Sequence, residues 1–591
     1  MSLTGIRARL LAADLQHSEV VERLWPYLLL IILLAAVFAA LAALGLDLGF
    51  IGDVLAYEYH YDRLGIQGGM SWLVHVEWQR HLLGALYSAP VHWLFPGQSA
   101  AWYGFAFLLH FANSVLCFLL VDTILRGQRR WLAFAAALIF AFDALQIPEH
   151  FEFPTGTHRK AALFLALLSL WFYLQWVRRE RRNRWWRELS LASYAIAVAS
   201  YEQTALFFLL HPVIAYFEDR PRIDGWFRWL AHVCLDSIWY PAFFVAYMFV
   251  LSELFPNSGQ LSLSIGRIIE QMLAALGIYL GPSDFFGRLL PAFENGWLFL
   301  TLAVGAGMFV ILWVWQAHRT ESEWTKSFWR ESRGEVALIA LGLAMIAVSI
   351  AALAPTTWSL TTFPKLFYPA AVGFGMAVSG LLAWLLERVP NAAVRHGLFA
   401  LAVAFLVGTG TTRLFQLQQE YIRQHEAREA VKAAILEAVP AWEGSALPYL
   451  LIVSDAHPSR DLALHAQDLK FPLMFDMLYG VDGIAADAIY PDVPASAAPP
   501  PDVPGSLYSG PYIVVEPEGI YSPLQPGIPI DPQRLVILYY DDQTQTAHIL
   551  DELPPDVLAT ANIVERAPIE WRTNDDLIAD VANEPARNLR G

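Results

Sequence analysis

The sequence predicts an α-helical polytopic membrane protein, with about eleven transmembrane helices and a small C-terminal α/β domain. Three observations predict it. The chain of 591 residues is 56% hydrophobic and only 16% charged, with a mean hydropathy of +0.41, whereas soluble proteins are nearer a quarter charged. Its apolar residues gather in runs long enough to cross a bilayer. Its charge of −16 sits at one end: residues 441–591 hold 23 Asp or Glu against seven Lys or Arg, which accounts for the whole excess.

A helix needs about 20 largely apolar residues to cross hydrocarbon, where nothing else can satisfy a bare backbone. Eleven runs qualify, near 25–46, 100–121, 131–147, 161–177, 188–201, 203–217, 229–254, 297–315, 335–354, 366–386 and 396–412. The first is too long for the core of a signal peptide and lacks a small-residue cleavage site, so it reads as a retained span. The fifth and sixth are short.

Orientation follows from the basic residues of short loops. Loops 126–130, 178–187, 220–228, 318–333 and 388–395 carry eighteen Lys or Arg, and the opposite set carries seven. The N-terminus, with Arg7, Arg9 and Arg23, therefore belongs in the cytoplasm. Two Arg-rich loops flank the short fifth and sixth runs, so these form a hairpin with Ser200-Tyr201-Glu202-Gln203 at its tip. Eleven crossings then put the C-terminus outside. The expected organisation is a cytoplasmic segment 1–24, a membrane domain 25–412 with outer loops 48–99 and 148–160, a linking helix 413–440, a soluble domain 441–571 and a tail 572–591.

In the soluble part, Tyr449–Val453, Tyr512–Val515 and Leu535–Tyr540 read as strands, Arg460–Leu478 as an amphipathic helix, and the Pro-rich stretch 491–504 as a loop. It holds no nucleophile elbow, phosphate loop or dinucleotide fingerprint. Asp455, His457 and Asp461 follow the first strand, where such residues usually form turns. The acidic charge excludes nucleic acid as a partner. Cys117 and Cys234 fall within apolar runs, too few for a disulfide framework, and read as small core residues.

The chemistry is expected in the outer loops. Loop 48–99 is far longer than an ordinary connection and carries Asp53, Glu58, Asp62, His75, Glu77, Arg80, His81 and His92. It should pack as short helices on the membrane surface. Two readings fit Asp53, which follows the first span directly: a helix N-cap, or a general base whose partial burial tunes its pKa. The second loop runs from Glu149 to His158, Arg159 and Lys160, three basic residues opening the fourth span. They either bind phosphate or anchor the span at the interface. Glu202 and Lys365 are single charges near a membrane face, for which anchoring is an equal reading. No His-x-x-x-His or Glu-x-x-His spacing marks a metal site.

Four places together resemble the GT-C class of membrane glycosyltransferases, in particular protein O-mannosyltransferase-like proteins and their bacterial relatives. They are Asp53 with Arg80-His81 in the first loop; His110-x-x-Asn113 in the second span; Glu149 with Gly156 before the fourth span; and Ser200-Tyr-Glu202-Gln203 with Lys365-Leu-Phe-Tyr368-Pro369 at a late span. The chain departs from the family where Tyr201 replaces a lysine and where Val54 replaces a second acid. The resemblance covers about residues 25–390 and implies transfer of a sugar from a polyprenyl-phosphate donor to an acceptor on the outer face of the cell membrane. It implies Asp53 as general base, and Arg80, His81, Glu149, His158, Arg159, Glu202 and Lys365 around the donor phosphate. Fixed cations, or a divalent ion such as Mg2+ or Mn2+, would ease departure of the phosphate. Two other readings compete. One is a scaffold that keeps the fold without the reaction. The other is a transporter, which predicts deep charges and internal symmetry; Asp236 is the deepest acid in the pattern.

Overall fold

The computed structural model describes residues 3–49, 53–74, 83, 85–144, 151, 156–219, 226–254, 265–281, 286–287, 289–294, 296–317, 333–354, 368–439, 449–454, 485–489, 514–516, 519–521, 535–541 and 543–550. The chain divides into two compact units, one of Met1–Leu46, Arg80–Ser88 and Ala101–Gln418, the other of Asp47–Gln79, Ala89–Ala100 and Gln419–Gly591.

The helices in order are α1 (Leu3–Leu44), α2 (Asp53–Trp72), α3 (Ala85–Leu94), α4 (Ser99–Ile124), α5 (Arg130–Ala141), α6 (Thr157–Arg178), α7 (Arg184–Ser200), α8 (Leu210–Asp219), α9 (Trp226–Ser237), α10 (Trp239–Leu254), α11 (Ile265–Leu280), α12 (Leu298–Ala317), α13 (Arg333–Leu353), α14 (Tyr368–Leu386) and α15 (Ala392–Ala438). A 3-10 turn, Glu202–Leu209, joins α7 to α8.

Among the described residues seven helices are long and apolar enough to cross a membrane, within α1, α4, α6, α12, α13, α14 and α15. The bent pair α9–α10, with 42° between its halves, makes an eighth if it is one span. Eleven spans are expected from the sequence, and the described residues show seven, or eight with the bent pair. Runs 131–147, 188–201 and 203–217 gave a 12-residue helix, a 17-residue helix, and a 3-10 turn followed by ten residues of helix. At 1.5 Å per residue α5 is about 18 Å long, well short of a core about 30 Å thick. The hairpin between the short runs is present: the Tyr194 hydroxyl of α7 donates to the carbonyl of Ala205, turning the chain back on itself.

In the first unit, small residues let helices approach closely, as is usual where hydrophobicity cannot drive association. A Cβ on Gly342 of α13 would lie 2.5 Å from the Gly373 carbonyl of α14, and one on Gly375 of α14 would lie 2.5 Å from the Ala136 carbonyl of α5. Hydroxyls add polar ties. Ser169 of α6 and Ser190 of α7 each donate to the other's carbonyl at 2.8 Å, and Thr301 of α12 donates to Thr412 of α15 at 2.9 Å.

At the Arg-rich ends, acids meet the bases. Arg129 pairs with Glu335 and Glu387, Arg178 with Glu218, and Arg181 with Asp236 at 2.6 Å. Asp236, the deepest acid in the sequence pattern, is thus paired with an arginine that follows α6. Of the two cysteines, Cys117 is buried as expected, but Cys234 is exposed on α9. That helix also exposes Phe227, Leu230 and Leu235, so its open face is apolar.

In the second unit, the segment after the first span contains α2 and, from Ala89 on, α3, the short helices expected there. The C-terminal part contains a four-stranded sheet of order β2-β1-β5-β6, from β1 (Tyr449–Ser454), β2 (Ala485–Ile489), β5 (Leu535–Asp541) and β6 (Thr546–Leu550). β1 runs parallel to β2 and β5, with Ile452 opposite Ala488 and Leu538, and β6 closes antiparallel on β5. A separate two-stranded ribbon joins β3 (Val514–Glu516) and β4 (Gly519–Tyr521). The three expected strands are present, and the helix expected at Arg460–Leu478, with Asp455, His457 and Asp461, lies outside the described residues.

The close approach of α14 to α5 gives a direct expectation. Gly375→Leu must force the helices apart, costing about 1–3 kcal/mol and lowering the thermal midpoint in detergent. Gly307→Leu, in open space on α12, should leave the midpoint unchanged. Equal midpoints for the two variants would contradict the packing.

Candidate functional site

The sequence-predicted residues fall into three groups. His158, Arg159 and Glu202 lie together in the first unit. Asp53 is the first residue of α2 in the second unit, and its side chain lies outside the described residues. Arg80, His81, Glu149 and Lys365 also lie outside them.

The first turn of α6 is the centre of the first group. His158, Arg159 and Lys160 occupy it in succession, and only 5%, 6% and 0% of their surfaces are exposed. Helix sequences normally place acids there, because the first-turn N–H groups carry the positive end of the helix dipole. Here three bases add to that potential inside an apolar protein. Buried charge is costly unless opposite charge is supplied. Aromatic rings line this helix start. The Arg159 guanidinium lies 5.9 Å from the centre of the Tyr201 ring, His158 meets the same ring edge-on, and the Lys160 ammonium lies 5.6 Å from the centre of the Tyr368 ring. Glu202, half-buried, opens the 3-10 turn next to Tyr201, followed by the fully buried Gln203.

A hydrogen-bond network fixes this turn, and it uses the His-x-x-Asn pair of the second span. His110 Nε2 donates to the Ala141 carbonyl at 2.9 Å. The proton on Nε2 leaves Nδ1 as an acceptor, and it takes the Tyr368 hydroxyl at 3.0 Å. The Tyr368 oxygen in turn accepts from Asn113 Nδ2 at 3.2 Å, and that amide also donates to the Lys160 carbonyl at 2.9 Å. Four helices, α4, α5, α6 and α14, meet in one chain of bonds. The Ala141 carbonyl belongs to the last turn of short α5, whose final carbonyls have no partner within the helix. His110 supplies one.

On the other flank, the chain before α3 joins the end of α7. The Leu83 N–H donates to the Ala199 carbonyl at 3.0 Å, and the Tyr87 and Ser200 hydroxyls lie 3.0 Å apart. Burial raises the pKa of the Tyr87 phenol, opposed by this hydrogen bond.

Sequence spacing missed a second cluster. In the second unit Glu58 and Asp62, one turn apart on α2, come together with His92 of α3. The signal was a Glu-x-x-x-Asp pair on one helix face, with its histidine thirty residues away. His60, on the same helix, stacks on Trp72 with ring centres 3.7 Å apart, and burial pushes its pKa down to about 4. A cavity of about 300 Å³ lies beside the Arg181–Asp236 pair, lined by Arg187, Glu188, Leu191, Trp239 and Tyr240. It contains none of the expected site residues.

Removing the shared hydroxyl tests the network. Tyr368→Phe removes the hydroxyl from His110 Nδ1 and leaves Asn113 Nδ2 with the Lys160 carbonyl alone, at about 1–3 kcal/mol for the buried nitrogen that loses its donor. The thermal midpoint should fall clearly, and an unchanged midpoint would count against the network.

No family model and no curated protein sequence matches the chain. Among solved structures, it is similar to the Archaeoglobus fulgidus oligosaccharyltransferase tethered with an acceptor peptide, at 13% identity and a TM-score of 0.35 over 73% of this chain. The match spans 62% of the archaeal chain, less than two thirds of its length. It is also similar to ArnT from Cupriavidus metallidurans bound to undecaprenyl phosphate, at 13% identity and a TM-score of 0.31, over 77% of this chain and 89% of that one. Both are GT-C membrane glycosyltransferases, the superfamily that the sequence motifs resemble. At these TM-scores the likeness is loose and transfers no residue role.

Proposed function

We propose that the protein is a membrane glycosyltransferase that takes a sugar from a polyprenyl-phosphate donor and passes it to an acceptor at the outer face. The observation that supports this reading best is the buried basic first turn of α6 in a chain with seven apolar helices of spanning length. A lipid phosphate is an anion delivered within the bilayer. A helix start bearing His158, Arg159 and Lys160 offers it N–H donors, a favourable dipole and fixed cations.

In this reading the acceptor hydroxyl attacks the anomeric carbon as Asp53 takes its proton. The bond from that carbon to the phosphate oxygen breaks, and the lipid phosphate leaves with the electron pair. A single displacement inverts the anomeric centre. Arg80, His81, Glu149, Glu202 and Lys365 complete the donor site. The N-terminus is cytoplasmic and the acidic C-terminal domain lies outside, with 413–440 as its link to the membrane domain.

Two variants separate binding from chemistry. Purified protein should bind undecaprenyl phosphate, and Arg159→Met should weaken binding at least about tenfold through loss of one charge-assisted contact. Asp53→Asn should keep that binding while sugar transfer from a lipid-linked donor falls about 10²–10⁴-fold. Native mass spectrometry and a labelled-sugar transfer assay read these outcomes. Undiminished transfer by Asp53→Asn would refute the base assignment, and undiminished lipid binding by Arg159→Met would refute the phosphate site.

A further inference from the structure

The segment after the first span carries a constellation that glycosyl transfer does not use. Glu58 and Asp62 are four residues apart and so share one face of α2. His92 approaches them from α3. Its Nδ1 lies 3.1 Å from Glu58 Oε1, and the ring's other nitrogen, Nε2, lies 3.9 Å from Asp62 Oδ1; an ion takes one of the two nitrogens. The three residues offer ligand atoms that all lie within 4.8 Å of one another. We propose that Glu58, Asp62 and His92 bind one divalent transition-metal ion, Zn2+ or Mn2+, which clips α2 to α3.

Burial argues for an ion beyond a simple ion pair. Glu58 is fully buried and His92 is 7% exposed. His92 Nδ1 is buried and makes no aligned hydrogen bond, despite its nearness to the carboxylate. A buried imidazole nitrogen at that distance from a carboxylate oxygen, out of line for a hydrogen bond, has the spacing of two ligands sharing a metal. Ligands held at about 2.0–2.2 Å around one tetrahedral ion are themselves about 3.4 Å apart.

The surroundings fit the same role. The Gly97 N–H donates to Glu58 Oε1 at 2.5 Å, which orients the carboxylate, and the Tyr61 ring stacks on the imidazole at 5.0 Å, which holds its plane. Such outer contacts are what aim metal ligands. The Asp62 side chain is 51% exposed, so the cluster has an open side for solvent ligands. Two carboxylate oxygens with one imidazole nitrogen suit Zn2+ or Mn2+ and disfavour Ca2+, which takes oxygen ligands alone.

The expected base is not part of this cluster. Asp53 lies five residues before Glu58, about 7.5 Å along a helix. The ion's role is to close the stretch between Asp62 and His92, where a cross-link removes chain entropy. This inference does not depend on the transferase reading.

The test uses full-length protein without a histidine tag, stripped with a chelator and then desalted after addition of Zn2+ or Mn2+ alone. Elemental analysis should find about one ion per chain, and the ion should raise the thermal midpoint, as binding to the folded state alone requires. Asp62→Asn changes an open side chain and should fold. It should weaken binding at least about tenfold and abolish the midpoint shift, and His92→Gln should do the same. Failure of the native protein to retain either ion would overturn the proposal. So would retention by Asp62→Asn at native affinity.

Discussion

Positive charge at the wrong end of a helix, buried inside an apolar protein, sets the terms for the membrane unit. His158, Arg159 and Lys160 begin α6, where the dipole already repels them. Their position is held by what surrounds them. Asn113 grips the Lys160 carbonyl, Tyr368 lends its ring to the ammonium and its hydroxyl to His110, and His110 closes the end of α5. Each donor and acceptor in that chain has one consistent role, so the arrangement is rigid as well as polar.

The basic loops meet the same electrostatic problem with acids. Arg129, Arg178 and Arg181 are matched by Glu335, Glu387, Glu218 and Asp236 from neighbouring helices. Those pairs satisfy charge locally and tie helix ends together. The loop bias that orients the chain therefore coexists with specific ion pairs, and a count of basic residues by itself reports orientation without showing which of them are neutralised.

Much of the fold could be read from composition and periodicity. Seven apolar runs became helices of spanning length because length and hydrophobicity alone decide that property. Three runs misled. Residues 131–147 look like a span, yet the helix stops at Ala141, because hydrophobicity marks burial and does not separate contact with lipid from contact with other helices. The His-x-x-Asn spacing pointed to His110 and Asn113, but only the fold reveals that they serve the Lys160 carbonyl and Tyr368. The Glu58–Asp62–His92 cluster escaped notice because one ligand is remote in sequence. Local spacing finds metal sites when the ligands share an element, and here two helices provide them.

The shortness of α5 has a consequence for how it is held. At about 18 Å it cannot cross a hydrocarbon layer about 30 Å thick, and Trp131–Ala141 are buried among other helices. Both of its ends rest on neighbours: Arg129 and Arg130 meet acids, and the Ala141 carbonyl takes the His110 N–H. A rod fastened at both tips by its neighbours can move only when they do.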